Sequence, residues 1–492
     1  MLSMSAYDLK TLIKTPVARN TFYSLTGQVL PMGVALISIP FIIKNLGVEK
    51  FGLLTLCWTI LSVFMYFDVG ISRSFIKQMA ENIQNNQFEG AGSLLSLVGV
   101  IMLSISCIAA GVLFFSGPLL TNKAFNIPPE LMKEAQKAFY ILALILPVIS
   151  LNSLVRSLLE SAHRFDKTNY LNSFVGSFNY LSPLILSFYH QSLSMMFMVI
   201  LLVRLLAFLL GLLWCLQVLK PVFQGPYGNW APHFHIIKYG FWLTLTNFIA
   251  PVLNYGDRLV IGSLLPLSAL SYYVTPYEVL SRLWLLPDAI VKVMFPSWAA
   301  RQNQKMSSRP FQFLFFALLL MMLSLIFLIQ SFSKEGLRLW VGEAFATNSA
   351  PLIPYFLLAV LMGALTRIPY TWLQATGQIK RATVIQVLES LGYLIFLWWS
   401  VKEFQVMGAA IALLVRLFFE YALFFLFAKR VFYHVRVFLS LFGAIVAFMG
   451  YTYLMNQLTS WSIKALILLV ALAILFWAGK ILISQNLENA KQ

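Results

Sequence analysis

About 14 stretches of roughly 17 to 28 mostly apolar residues follow one another along this chain, from Thr21–Ile43 to Lys464–Ile483, with only short polar links between them. A helix of about 20 apolar residues crosses a hydrocarbon core of about 30 Å, and in that medium only helices and closed barrels satisfy every backbone N–H and C=O. None of the stretches alternates as a strand does. Each therefore predicts a helix, and the chain reads as an all-α polytopic membrane protein with about 14 transmembrane helices.

Composition leaves no room for anything else. Of 492 residues, 60% are hydrophobic and 11% charged, against about one-quarter charged in soluble chains. The longest polar links, near Gly117 to Lys137, Lys220 to Lys238 and Ser333 to Pro351, are only about 20 residues long, several-fold short of a domain. Cys57, Cys107 and Cys215 all fall in apolar stretches and suit packing, not a disulfide framework or metal site. Residues Met1 to Asn20 carry Asp8, Lys10, Lys14 and Arg19 and lack a long apolar core, so no cleavable signal peptide is expected there.

The formal charge of +17 could suggest nucleic acid, but in a membrane protein basic residues first report topology. With a cytoplasmic amino terminus and 14 crossings, about 20 Lys and Arg fall inside, about nine outside and about six within helices. The inside set includes Arg73, Lys77, Arg156, Arg164, Lys167, Arg301, Lys305, Arg309, Lys380, Arg381, Lys429, Arg430 and Arg436. Both termini are then cytoplasmic, and no nucleic-acid partner is expected.

The chain also repeats. A shift of about 220 residues lays Leu25, Thr26 and Pro31 on Leu245, Thr246 and Pro251, then Thr55 on Thr275, Asp68 on Asp288 and Phe75 on Phe295. A slightly shorter shift puts residues 158–164 over 372–378. Two six-helix blocks related by an axis along the membrane normal are expected, residues 1–220 and 221–432, followed by two appended helices in 433–492.

Ionisable residues at membrane depth mark function, because each is costly unless it faces water or a partner. They gather in the second half: Asp257 and Arg258 in the seventh stretch, Glu278, Arg282, Asp288 and Lys292 in the eighth, then Arg367, Glu389, Arg416 and Glu420. Only Arg204 compares in the first half. If the eighth stretch is one helix bent at Pro287, its four charges share an arc of about 120° and line a wet cavity. The plainer alternative makes Glu278 with Arg282, and Arg416 with Glu420, neutralising pairs one turn apart. Pro31, Pro40, Pro251, Pro276, Pro287 and Pro296 are candidate bending points.

No catalytic constellation appears, so the chain does not read as an enzyme. His163, His190, His233, His235 and His434 lie in links or near helix ends and do not suggest a metal site. A GxxxxGK[ST] loop is missing, and no cofactor is implied.

Residues 42–54, IIKNLGVEKFGLL, followed by 66–73, YFDVGISR, resemble the opening of Wzx-type O-antigen flippases. Residues 160–166 (ESAHRFD), 256–262 (GDRLVIG), 273–277 (YVTPY) and Phe295-Pro296 are similar to later segments of that family, in order. The resemblance covers roughly residues 20 to 430. It points to the polysaccharide transporter branch of the superfamily that also holds MATE exporters and the lipid II flippase.

This resemblance implies two pseudo-symmetric, MATE-like lobes leaning into a V around a cavity lined by helices 1, 2, 7 and 8. It implies a bacterial inner-membrane protein that moves an undecaprenyl-diphosphate-linked oligosaccharide outward by alternating access. Lipid-linked oligosaccharide and membrane lipids are the expected partners, with a polysaccharide polymerase and chain-length proteins as further candidates. Arg73, Arg282, Lys292 and Arg258 are the candidate diphosphate contacts, since a guanidinium offers bidentate, charge-assisted bonds. Asp257, Glu278 and Asp288 are candidates for ion coupling, and Asp68, Pro31, Pro251 and Pro287 for gating or support. The rival reading, a cation-coupled MATE drug exporter, calls for an acidic surplus in the cavity, whereas bases here match or exceed acids.

Overall fold

A computed structural model describes residues 16–65, 69–225, 227, 228, 230, 249–300, 309–427, 435–458 and 460–491. Asp68, His233, His235 and His434 lie outside the described residues. Among the described residues the regular structure is all helical, and eight helices are long and apolar enough to cross a membrane. By contacts the chain divides into two compact units, Met1–Ser268 and Ala269–Gln492.

In the first unit, α1 (Pro16–Leu46), α2 (Val48–Met65), α3 (Val69–Gln84) and α4 (Phe88–Leu119) precede the central helix α5 (Pro129–Ser161). Helices α6 (Phe165–Phe188), α7 (Leu193–Val218), the short α8 (Lys220–Gln224) and α9 (Ile249–Leu264) follow. Helix α5 packs against α2, α3, α4, α6 and α7, and 61% of its apolar window is buried against 28% for α4, which identifies α5 as the hub. Close approach is built in by small residues. A Cβ on Gly52 of α2 would lie 2.1 Å from the Leu267 carbonyl oxygen, and one on Gly211 of α7 would lie 2.5 Å from Val155 of α5. Cys57 and Cys215 are buried and Cys107 is exposed, all as free thiols.

The second unit is reached through α10 (Leu267–Ser281), a 3-10 turn at Arg282–Trp284, and α11 (Leu285–Ala300). Its hub is α15 (Ile353–Ala375), which packs on α11, α12 (Arg309–Ser331), α16 (Ile379–Phe427) and α17 (Val435–Gln457). Short helices α13 (Ser333–Val341) and α14 (Glu343–Asn348) lead into it, and α18 (Trp461–Lys491) closes the chain. Helix α16 is interrupted at Gln405, where φ is 52° and ψ −134°. A Cβ on Gly408 would meet the Ser400 carbonyl oxygen at 1.9 Å, so the two arms double back tightly there. Helices α17 and α18 both pack on α12, and Lys464 of α18 pairs with Glu335 of α13 at 2.6 Å.

The eighth apolar stretch differs from the single bent helix expected of it. The chain runs as α10, 3-10 turn, α11, and the break falls just ahead of Pro287, which has no N–H to donate to the preceding turn. Arg282 sits in that turn.

The hubs end alike. After α5, the N–H of His163 (φ 57°) donates to the Glu160 carbonyl at 2.9 Å and that of Arg164 to the Leu159 carbonyl at 2.9 Å. After α15, the N–H of Gly377 (φ 74°) donates to Gln374 at 3.1 Å and that of Gln378 to Leu373 at 2.8 Å. Both are Schellman endings, which require a left-handed residue just past the helix. These two turns occupy matching places in the shorter sequence repeat, residues 158–164 and 372–378.

Because glycine alone adopts that conformation freely, Gly377→Ala should cost about 1 kcal/mol of stability, while His163→Gly should be neutral or slightly stabilising, as read by thermal unfolding in detergent. A second expectation concerns Glu335. Burial pushes its carboxyl up, but the Lys464 hydrogen bond, a backbone N–H and the charges of Lys464 and Arg338 outweigh that and leave it below the ordinary range. A carboxyl depressed by folding stabilises above its unfolded pKa, and that stabilisation is lost as pH falls through the depressed value. Glu335→Gln should therefore lower the melting midpoint by roughly 2–4 °C at pH 7, with the difference from the wild type shrinking in acid.

Candidate functional site

Helix α5 is apolar around most of its circumference, but Ser153, Arg156, Ser157 and Glu160 recur on it at intervals of three and four residues and share one face. Around that face the first unit holds a cavity of about 490 Å³. Its other walls are Ser62 and Met65 at the end of α2, Ser72, Arg73 and Ile76 of α3, and Tyr255 of α9. The serine hydroxyls of Ser72 and Ser153 meet at 3.2 Å across the α3–α5 seam. Arg156 is held from behind, donating to the Asn172 side-chain oxygen at 2.8 Å and, through Nε, to the Asn152 carbonyl at 3.3 Å. Arg73 is exposed. Two guanidinium groups and one carboxylate, framed by hydroxyls, form a donor-rich recess with a net positive balance, suited to an anionic and hydroxylated group.

Asp257 and Arg258 of α9 are both buried, beside the Tyr255 wall. The Asp257 carboxylate accepts the Arg258 backbone N–H at 2.8 Å, and the Arg258 guanidinium lies 5.1 Å from the Tyr255 ring centroid. Pro251 is buried in the first turn of the same helix. Pro31 of α1 is seated against Gly176 of α6, where a Cβ would approach its ring to 2.8 Å.

In the second unit, Glu278 and Arg282 pair with each other at 3.3 Å, and Asp288 pairs with Arg367 of α15 at 2.9 Å. Arg367 also lies 5.1 Å from the Trp284 ring centroid. Pro287 is buried and Lys292 exposed. The four charges expected to form one stripe are thus divided between two ion pairs and Lys292. Arg416 bonds Glu389 at 2.7 Å, across the α16 reversal, and not only its neighbour Glu420 is available to it. All three of these residues are buried. Among the described residues no cluster of His, Cys, Asp or Glu could hold a metal.

Sequence reasoning passed over Arg156, Glu160, the serines and Tyr255 as site residues. Arg156 stands among the bases expected on the cytoplasmic side, and the Ser153, Arg156, Ser157 and Glu160 spacing on an apolar helix is the signal for its recess contact.

Several apolar helices of spanning length, with a basic recess in the first unit, place this chain in the class of multi-pass membrane proteins with a transporter fold. It belongs to the polysaccharide biosynthesis protein family, which matches residues 17–302. A Shigella flexneri relative named "Putative O-antigen transporter" is 26% identical over 404 residues, spanning 82% of this chain and 96% of the relative. Among solved structures, the lipid II flippase MurJ in an inward closed conformation superposes with a TM-score of 0.70 at 13% identity, covering 96% of this chain and 99% of that one. An inward-facing MATE-family multidrug resistance transporter of the MOP superfamily gives 0.68 at 11% identity, covering 84% and 98%. At those identities the likeness is one of fold.

The ion pairs generate a direct test. Removing one partner of a low-dielectric pair is worse than removing both. Arg416 and Glu389 are such a pair, both buried, so Arg416→Ala should cost about 3 kcal/mol or more of stability, and Glu389→Gln in the same chain should recover part of it, read as the monodisperse fraction and melting midpoint of purified protein.

Proposed function

We propose that this protein is a flippase for an undecaprenyl-diphosphate-linked oligosaccharide, an O-antigen or related surface-polysaccharide unit, carried by alternating access from the cytoplasmic to the periplasmic leaflet of a bacterial inner membrane. Membership of the polysaccharide biosynthesis family carries this reading. The Arg73–Arg156 recess supports it chemically. A sugar and a diphosphate cannot cross hydrocarbon unaided, whereas two guanidinium groups can hold the diphosphate while serine hydroxyls take sugar hydroxyls. Arg156 lies about 10 Å along α5 from the His163 turn, where Arg164 and Lys167 argue for a cytoplasmic position. A cargo assembled in the cytoplasm would enter from that side. Both termini are proposed to be cytoplasmic on the same grounds.

Arg258, Arg282 and Lys292 are proposed as further substrate contacts, and Asp257, Glu278 and Asp288 as the ion-coupling carboxylates. In this conformation each of those carboxylates holds a cation or a backbone donor. Protonating it, or binding a cation there, would release that bond, which is what coupling an ion to a conformational change requires. Pro31, Pro251, Pro287 and Asp68 are the proposed gating or supporting positions. A cation exporter of the same fold would want the opposite charge balance in the recess.

The lipid-linked sugars of cells lacking this protein, resolved by mass spectrometry, should show an accumulated complete oligosaccharide unit on its diphosphate lipid. In liposomes bearing the purified protein and a fluorescent lipid-linked sugar, Arg73→Ala and Arg156→Ala should each slow translocation at least about tenfold, and the lysine variants should recover it only in part. No accumulation in the deletion cells, together with drug sensitivity in its place, would favour the exporter.

A further inference from the structure

Behind the recess, and sharing Met65 and Arg156 with it, lies a smaller cavity of about 130 Å³. It is enclosed by α5, α6 and α7 and lined by Asn152, Asn172 and Asn179 together with Arg156 and Arg204. Arg204 is only 5% exposed. Its Nε has no hydrogen-bond partner, and its one side-chain hydrogen bond is a long 3.5 Å contact to the Asn179 oxygen. Among the described residues no carboxylate pairs with it. Glu160, one turn along α5 from Arg156, borders the outer recess but not this cavity. Two arginines, one buried and one half-buried, therefore line one small space walled otherwise by amides and apolar side chains.

That arrangement is incomplete as it stands. A buried charge needs an opposite charge or a full set of hydrogen bonds, and a second like charge beside it makes the need greater. We propose that the Arg156–Arg204 cavity is a binding site for a small inorganic anion of the halide class, with chloride as the natural occupant. The cavity is several times the volume one water-sized probe needs, so an ion and a few waters fit, whereas an oligosaccharide does not. The anion takes bonds from the Arg204 guanidinium and from the amide N–H groups of Asn172 and Asn179, and its charge screens Arg204 from Arg156. Arg156 borders both spaces, so an anion held here also acts on the outer recess. The inference concerns the inner cavity alone and stands whether or not the cargo proposed above is right.

The test uses the purified full-length chain at constant ionic strength, with gluconate replaced stepwise by chloride. The wild type should show a saturable rise in melting midpoint of roughly 3 °C and a matching saturable broadening of the chloride NMR line. Arg204→Gln should lose both responses, and Arg204→Lys, which keeps the charge without the planar fork, should need about tenfold more chloride. Should Arg204→Gln fail to yield folded protein, the wild type and the lysine variant decide by themselves. Equal midpoints in chloride and gluconate overturn the proposal. So does a full chloride response in Arg204→Gln, which would assign it to surface bases. An Arg204-dependent shift given by pyrophosphate but not by chloride would overturn it too, making the cavity the inner end of a diphosphate site.

Discussion

Hydrocarbon cannot hydrogen-bond, and nearly every feature of this chain follows from that. Each span must satisfy its own backbone, so each is a helix. Small hydroxyls obey the same demand by bonding back to their own helix: Thr59 to the Thr55 carbonyl at 2.8 Å, Ser157 to Ser153 at 2.8 Å, Thr366 to Met362 at 2.9 Å. Longer charged side chains have no such local solution. They must find a partner across helices or border a wet space, and the two outcomes divide the charged residues of this protein into bracing and site.

The hub helices show the division. Helix α15 is buried through 78% of its apolar window, and its one interior cation, Arg367, is tied to Asp288. Helix α5 is the corresponding hub of the first unit, but its arginine is bonded to neutral partners, the Asn172 side chain and the Asn152 carbonyl. A neutral amide orients a guanidinium without cancelling its charge. Arg156 is thus held in place by neutral groups from behind, at the wall of the recess that Glu160 also lines.

The helices and their membrane character were legible because apolar length is a signal carried by every residue of a span. The partners of the charged residues were less so, because they depend on chain reversals that leave little trace in periodicity. Arg416 and Glu420 read as a pair one turn apart, but the reversal at Gln405 brings Glu389 alongside and Arg416 bonds it at 2.7 Å. The break in the eighth stretch is silent in the sequence because a 3-10 turn keeps apolar composition while changing the angle per residue. The assumed arc of Glu278, Arg282, Asp288 and Lys292 rested on that angle. The recess contact of Arg156 is silent for another reason: a base near the end of a span looks the same in sequence whether it faces water outside the membrane or a recess within the fold.

That last ambiguity has a physical meaning. If the recess lies at the cytoplasmic end of α5, as proposed, the topology-setting bases and the cargo-binding bases are the same residues. Arg73 and Arg156 would fix the orientation of the chain during insertion, by the preference of basic residues for the cytoplasmic side, and afterwards attract an anionic headgroup from that side. Such doubling confines the attraction to one face of the membrane. On the function proposed here, a cation bordering a recess that opens toward the cytoplasm would bind the diphosphate where it is made, and would weaken its hold once the recess no longer faced that compartment. On that proposal, direction would come from where the positive charge sits, with the proposed gradient coupling through Asp257, Glu278 or Asp288 resetting it.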